Sequence, residues 1–287
     1  MHYITSKDSR TGEDVRISYN DYGTGRPIVL IHGWPSSKEM WEYQIEDLVN
    51  AGLRVVKYDR RGFGKSDKPW DGYDYDTFTA DLNALMEELD LRDAVLVGFS
   101  MGGGEVARYF SKYGNTGHAT KAVLVAAVTP FLGQTDDNPD GAPAELFEGI
   151  LEKIREDRIG FLDDFGNAFF GQGMIKRPLS TPLLEHFRDL ASVASQRSTL
   201  ECVKAFAFTD FRRDLEALQA VPTLIIHGDS DQTVPIEKSG ERTAKALPDA
   251  VYMVYEGAPH GLFYTNCEQL NRDLILFATD KMSEKRS

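Results

Sequence analysis

Three side chains in this sequence have the types and settings that together could cleave an ester. Residues 98–104 read GFSMGGG, with Ser100 held between Gly98 and Gly102. A serine hydroxyl works as a nucleophile when it sits at the exposed tip of a tight strand-to-helix turn. The G-x-S-x-G spacing supplies the small neighbours that such a turn requires. The run AVLV before it reads as a buried strand, and EVARYFSKY after it reads as a helix. The start of that helix aims backbone N–H groups and a positive dipole end at the place where negative charge develops. A phosphate-binding glycine turn is the competing reading, but neither a P-loop lysine nor a G-x-G-x-x-G pattern is present here.

A serine nucleophile needs a general base, and the base needs a carboxylate that fixes its tautomer. On a strand–turn–helix scaffold of this kind the chain order is serine, acid, histidine. After TLIIHG comes DSDQTVP, which offers Asp229 and Asp231; after AVYMVYE comes GAPHGL, which offers His260. Both loops follow apolar runs, at the strand ends where open α/β sheets place their sites. Asp231 is the preferred acid because it lies further out on its loop and opens a D-x-x-V-P stretch; Asp229 is expected to cap the turn. The oxyanion of an acyl-transfer reaction requires N–H donors, and the backbones of Met101 and of Trp34 in HGWPSS are the candidates. The Trp34 ring is expected to pack in the core.

The remaining polar residues have blander readings. His32 and His227 each end a strand in IHG and are expected to bond loop backbone, while His2, His118 and His186 read as surface or cap residues. Asp59 and Arg60 in YDRRGFGKSD are expected to stabilise a charged turn rather than to catalyse. No histidines or cysteines have metal-ligand spacing, so neither a catalytic metal nor a cofactor is expected.

These residues must be positioned by alternating strands and helices. Apolar runs at 16–19, 27–33, 54–59, 94–100, 121–128, 222–228 and 250–256 read as strands, with the first expected to pair antiparallel with the second. Helical patterns fill 37–52, 75–90, 237–247 and 267–282. The fold class is therefore α/β: a mostly parallel central sheet with helices on both faces. The alternation breaks over 130–212, a stretch with helical, Phe- and Leu-rich patches and no strand signal. It reads as an inserted helical cap between core segments 1–129 and 213–287. The 287 residues suit one such domain. A net charge of -13 disfavours nucleic acid and anionic membrane as partners. Two cysteines, no signal-like segment and no long apolar run lead to the expectation of a cytoplasmic protein.

Over nearly its full length the chain resembles an α/β-hydrolase, in particular the bacterial cofactor-free haloperoxidases, or perhydrolases, and the related aryl esterases. HGWP, WEYQ, YDRRGFGKSD, VGFSMGGGEVARY, TPFLGQ, FTDFR, IIHGDSDQTVP and APHG occur in the order seen there. The resemblance implies a Ser100–His260–Asp231 triad, an oxyanion hole from Trp34 and Met101, and hydrolysis of small aryl or short-chain esters. It further implies transfer of the acyl group to hydrogen peroxide, giving a peracid that can oxidise halide, and cyclic homo-oligomers. The substrate pocket is expected to include Trp34, Pro35, Val128, Phe131, Thr233 and Ile236. Haloalkane dehalogenases and epoxide hydrolases carry aspartate at the nucleophile position, and Ser100 argues against both. Lactone or γ-lactam cleavage on the same triad is the alternative chemistry. A non-catalytic binding protein is the alternative of a different class, disfavoured because Ser100, Asp231 and His260 are all retained. The 114–122 connection is longer than is usual in the family, and the cap sequence matches only loosely.

Overall fold

The computed structural model describes residues 2–8, 11–173 and 177–282. Eight strands form one sheet: β1 (His2–Lys7), β2 (Asp14–Tyr22), β3 (Arg26–Ile31), β4 (Leu53–Tyr58), β5 (Ala94–Phe99), β6 (Ala119–Val125), β7 (Thr223–Gly228) and β8 (Val251–Tyr255). Their order across the sheet is β1-β2-β4-β3-β5-β6-β7-β8. The first two pairings, β1 with β2 and β2 with β4, are antiparallel, and all the others are parallel.

Two features of the sheet differ from expectation. Strand β2 pairs with β4 and not with β3, because both edges of β3 are taken by β4 and β5. Strand β1 escaped notice because its buried side is carried only by Ile4 and Ser6, too short an alternation to stand out in a polar segment.

The parallel strands are buried on both faces, which is why they read as unbroken apolar runs. Successive side chains point to opposite sides of a strand. Thus Val29, Ile31, Leu96, Leu124 and Ile225 join one core with α2 (Tyr75–Glu88), α3 (Met101–Tyr113) and α7 (Arg212–Leu218). Ile28, Leu30, Val95, Val97, Val123 and Val125 join another with α1 (Glu42–Asn50) and α10 (Cys267–Ala278). In α2 the residues Phe78, Leu82 and Leu85 face inward, as their spacing predicts. Asp74 caps that helix by accepting from Thr77 N at 2.9 Å.

Between β6 and β7 lie α4 (Ala144–Phe169), α5 (Thr181–Ser192), α6 (Gln196–Phe208) and α7. The first of these is two helices joined at Asp157, whose φ of -147° and ψ of 91° break the helical run. Its Oδ1 accepts from Gly160 N at 2.9 Å and caps the second half. Helix α4 packs on α5 and α6, whereas α7 packs on α3. Two further helices, α8 (Gly240–Ala246) and α9 (Leu262–Thr265), follow β7 and β8. Among the described residues no helix is long and apolar enough to cross a membrane.

Asp59 is structural, as expected. It is buried and binds Lys38 Nζ at 2.5 Å, Lys38 N at 2.8 Å and Lys65 N at 2.9 Å. His118 is a correction to the surface reading: it is buried at the start of β6, its Nδ1 2.7 Å from the Leu91 carbonyl. That long-range backbone bond leaves no trace in local sequence. His2 and His186 are exposed.

The turn from β5 into α3 leaves no room for side chains at two positions. A Cβ at Gly98 would lie 2.2 Å from Gly102 O, and one at Gly102 would lie 2.7 Å from Ile31 O. At Gly149, inside α4, the same atom would meet nothing within 4 Å. Gly98→Ala is therefore expected to cost about 1–3 kcal/mol or more, because backbone must move. Gly149→Ala is expected to add up to about 1 kcal/mol through helix propensity. Urea unfolding midpoints of the two variants check this, and equal shifts would contradict the steric account.

Candidate active site

Ser100 sits between β5 and α3 with φ 54° and ψ -117°, a conformation that non-glycine residues rarely adopt. Three backbone bonds hold it there. Its N–H donates to Val125 O at 2.8 Å, and its carbonyl accepts from Gly103 N at 2.9 Å and Val128 N at 3.3 Å. The hydroxyl is thereby presented above the C-terminal end of the sheet.

Asp231 follows β7 and His260 follows β8, and the fold brings both to Ser100. His260 Nε2 lies 3.0 Å from Ser100 Oγ, and His260 Nδ1 lies 2.6 Å from Asp231 Oδ2. Ser100 and His260 are 160 residues apart in the chain. The imidazole is fully buried and packs against the rings of Phe99 and Phe169, at centroid distances of 4.9 and 4.8 Å. The loop after it is tied to the end of α4, where Gly261 N donates to Phe169 O at 2.8 Å.

The Asp231 carboxylate is also buried, and its other oxygen, Oδ1, accepts from Thr233 N and Val234 N at 2.8 Å each. Burial alone would raise its pKa. The opposing charge on His260 and the hydrogen bonds from His227 and His260 outweigh burial, holding the group well below the usual carboxylate range. Asp229 points elsewhere. Its Oδ1 accepts from Gly257 N at 2.7 Å and from Ser230 Oγ at 3.2 Å, so it fastens the two loops together.

Trp34 and Met101 flank the serine. Neither backbone N–H has an acceptor among the described residues. The Trp34 ring is buried, as expected. Its Nε1 donates to Thr199 O at 3.0 Å, and its face meets Phe165 and Phe206 edgewise at 5.3 and 5.5 Å.

The stretch before Trp34 is held from below. His32 Nδ1 is 2.9 Å from Gly33 O, and His32 Nε2 accepts from Arg60 N at 3.0 Å. Burial, reinforced by the Arg60 charge, keeps this imidazole well below its ordinary pKa. Arg60 also donates to His32 O at 3.0 Å and to Glu105 of α3 at 2.8 Å. Tyr58 completes the cluster by donating to the same Glu105 carboxylate. One buried ion pair thus joins the Trp34 loop to the helix that carries the serine. Reading the charged turn from sequence located Arg60 but not its partner, since Glu105 looks like any helical glutamate.

A cavity of about 220 Å³ opens at Ser100. Trp34, Val128 and Thr233 line it. Phe131 and Ile236 do not. Phe131 lies under the Arg212 guanidinium, 5.6 Å from its ring centroid, and Leu132 takes the lining position instead. Ile236 belongs to a short helical turn, and Val234 lines the wall two residues earlier. Pro35 faces a separate cavity of about 40 Å³ across Trp34 and Phe165. Gln232 joins the wall from the loop after β7, and the rest, including Phe147, Ile150, Phe165 and Phe206, comes from α4 and α6. The phase of these helices against the sheet was not readable in sequence.

The chain matches the family profile of the alpha/beta hydrolase fold over residues 26–266. It is 42% identical to a non-heme chloroperoxidase of Kitasatospora aureofaciens, over 93% of this chain and 97% of that protein. It is 38% identical to a bifunctional esterase/perhydrolase of Acinetobacter calcoaceticus, over 96% and 99%. Among solved structures, a bromoperoxidase from Bacillus anthracis superposes with a TM-score of 0.91 at 48% identity, covering 97% of this chain and all of that one. With its sheet topology, its strand-to-helix serine turn and these full-length relatives, the chain belongs to the α/β-hydrolase family.

Proposed function

We propose that the protein is a serine-triad hydrolase of small aryl or short-chain esters that also transfers acyl groups to hydrogen peroxide. The observation that carries this reading is the unbroken chain from Ser100 Oγ through His260 to Asp231, at 3.0 and 2.6 Å. The names of the esterase/perhydrolase and chloroperoxidase relatives support the same chemistry.

In this mechanism Ser100 Oγ attacks the acyl carbon while neutral His260 Nε2 takes its proton. The carbonyl oxygen becomes an oxyanion and receives the N–H groups of Trp34 and Met101. The tetrahedral intermediate collapses, His260 returns the proton to the departing alkoxide, and an acyl-serine remains. Water then attacks, giving up its proton to His260, and the carboxylic acid leaves as Ser100 is reprotonated. Hydrogen peroxide attacking in the same way gives the peracid, which oxidises halide to hypohalite and returns to the carboxylate. Asp231 stays anionic across the working range and so keeps orienting the His260 imidazole.

The helices α4, α5 and α6 act as the cap that closes the acyl site. The cavity of about 220 Å³ lies below the roughly 300–1,000 Å³ of pockets for drug-sized ligands. Its walls are mostly apolar, with Gln232 and Thr233 as exceptions. Both features favour compact, apolar acyl groups.

Three substitutions test the reading. Ser100→Ala is expected to lower p-nitrophenyl acetate hydrolysis on the order of 10⁴-fold or more and to abolish fluorophosphonate labelling, with the fold intact by circular dichroism. Retention of more than about a tenth of the wild-type rate would remove the triad from consideration.

Asp231→Asn is expected to lower kcat about 10³- to 10⁴-fold, since the amide cannot fix the His260 tautomer. Asp229→Asn loses only a loop bond and should stay within about tenfold of wild type. The opposite ranking in steady-state kinetics would make Asp229 the acid.

The third substitution separates peroxide from water. The residue before a proline has a restricted backbone, and Pro35 itself lacks an N–H. In this reading the Trp34 carbonyl, restricted in this way, is the acceptor for a hydrogen bond from hydrogen peroxide attacking the acyl-serine. Pro35→Leu should lower peroxide-dependent monochlorodimedone halogenation in acetate buffer relative to ester hydrolysis. An unchanged ratio, or no peroxide-dependent signal in the wild type, would leave a plain carboxylesterase.

A further inference from the structure

Asp231 accepts hydrogen bonds from two N–H groups of its own loop and from His260, and the mechanism above uses only the last. A further nitrogen stands 3.3 Å from it, that of His227, the penultimate residue of β7. His227 Nε2 lies 2.9 Å from Val234 O and 3.3 Å from Asp231 Oδ2, the same oxygen that faces His260. Both neighbours are acceptors, so Nε2 must carry a proton. On the other side of the ring, Nδ1 is buried without a hydrogen-bond partner among the described residues. It abuts the backbone of Gly240, where even a Cβ would approach it to 2.7 Å. A proton on Nδ1 would be buried with no acceptor, so the ring is the neutral Nε2–H tautomer.

We propose that His227 is a positioning residue for the triad acid: its Nε2–H bridges Val234 O and Asp231 Oδ2, aiming that oxygen at His260 and tempering its negative charge. The inference rests on the triad reading. Its consequence has a definite sign. Removing the donor leaves Asp231 Oδ2 with more undivided charge, which stabilises the protonated form of His260. The base is then occupied at higher pH, and the acid limb of kcat/KM moves upward.

The surroundings leave few other sources for such a shift. His260 bears on Asp231 from the β8 side and His227 from the β7 side. Strand β5 contributes Ser100 and Phe99, α4 contributes Phe169, and α8 contributes the Gly240 backbone. The nearby charges are engaged elsewhere: Asp229 with Gly257 N, Lys238 with Asp140 O and Arg242 with Asn138 Oδ1.

The test compares His227→Leu, which removes the donor, with His227→Gln, whose side-chain amide offers one at a similar reach. The leucine variant should lower kcat about tenfold, the worth of one hydrogen bond to a charged group, with KM little changed. Its acid limb should rise by about half a pH unit or more, while the glutamine variant keeps the wild-type limb. In an Asp231→Asn background His227→Leu should have no further effect on kcat, because the two act as a unit. Equal losses in the two variants, an unmoved acid limb, or full additivity with Asp231→Asn would overturn the proposal. If the leucine variant fails to fold by circular dichroism, His227→Met takes its place. Nitrogen-15 NMR of the histidine rings gives a readout independent of turnover. A neutral Nε2–H form is expected for His227, and a charged ring or an Nδ1–H tautomer would refute the assignment. Failure of the triad reading looks different: Ser100→Ala would then remain active and the wild type unlabelled by fluorophosphonate.

Discussion

The approach of α3 to β5 is the constraint on which the rest of the site depends. The turn between them is so tight that Gly98 and Gly102 cannot carry even a methyl group without moving backbone. Ser100, at its apex, sits in a left-handed region that costs on the order of 1–3 kcal/mol for a residue with a side chain. The cost is borne because Val125, Gly103 and Val128 hold the serine backbone from two sides. Beneath the turn, the Arg60–Glu105 pair extends the same rigidity to the loop carrying Trp34. The serine hydroxyl and the two N–H groups beside it are thus set by one packed unit rather than by three flexible loops.

Two buried carboxylates in this region meet opposite fates, and the difference is instructive. Burial raises the pKa of Glu105, and the Arg60 charge opposes it without fully cancelling the effect. Burial works on Asp231 in the same direction, yet imidazole neighbours and hydrogen bonds more than reverse it. Glu105 joins the helix that carries Ser100 to the loop that carries Trp34, through Arg60. Asp231 is held as an anion beside the His260 imidazole, with donors around both of its oxygens.

Much of this was legible in the sequence because catalysis and sheet geometry both leave local marks. The serine turn needs glycines at fixed offsets, parallel strands buried on both faces are unbroken apolar runs, and Asp231 and His260 lie in the loops that follow such runs. What was not legible depends on contacts between distant segments. Strand β1 shows only when paired with β2, His118 finds its carbonyl at Leu91, and Glu105 finds Arg60. The pocket wall failed in the same way. Phe131 and Leu132 are equally apolar neighbours, and only packing of the loop beneath Arg212 decides which one lines the cavity at Ser100. The break in α4 at Asp157 was equally hidden, since its acidic, helix-like surroundings continue on both sides.

The 160 residues between Ser100 and His260 carry a consequence for how the molecule acquires its activity. The hydroxyl and the imidazole can meet only when β6 lies on β5, the helical segment between β6 and β7 is looped out, and β7 and β8 extend the sheet beyond it. Contacts so distant in sequence are entropically expensive to close, and they form late in a folding reaction. Turnover is therefore a reporter of the completed sheet. A chain that had built only β1 to β6 would hold Ser100 in its turn without the imidazole of His260 beside it.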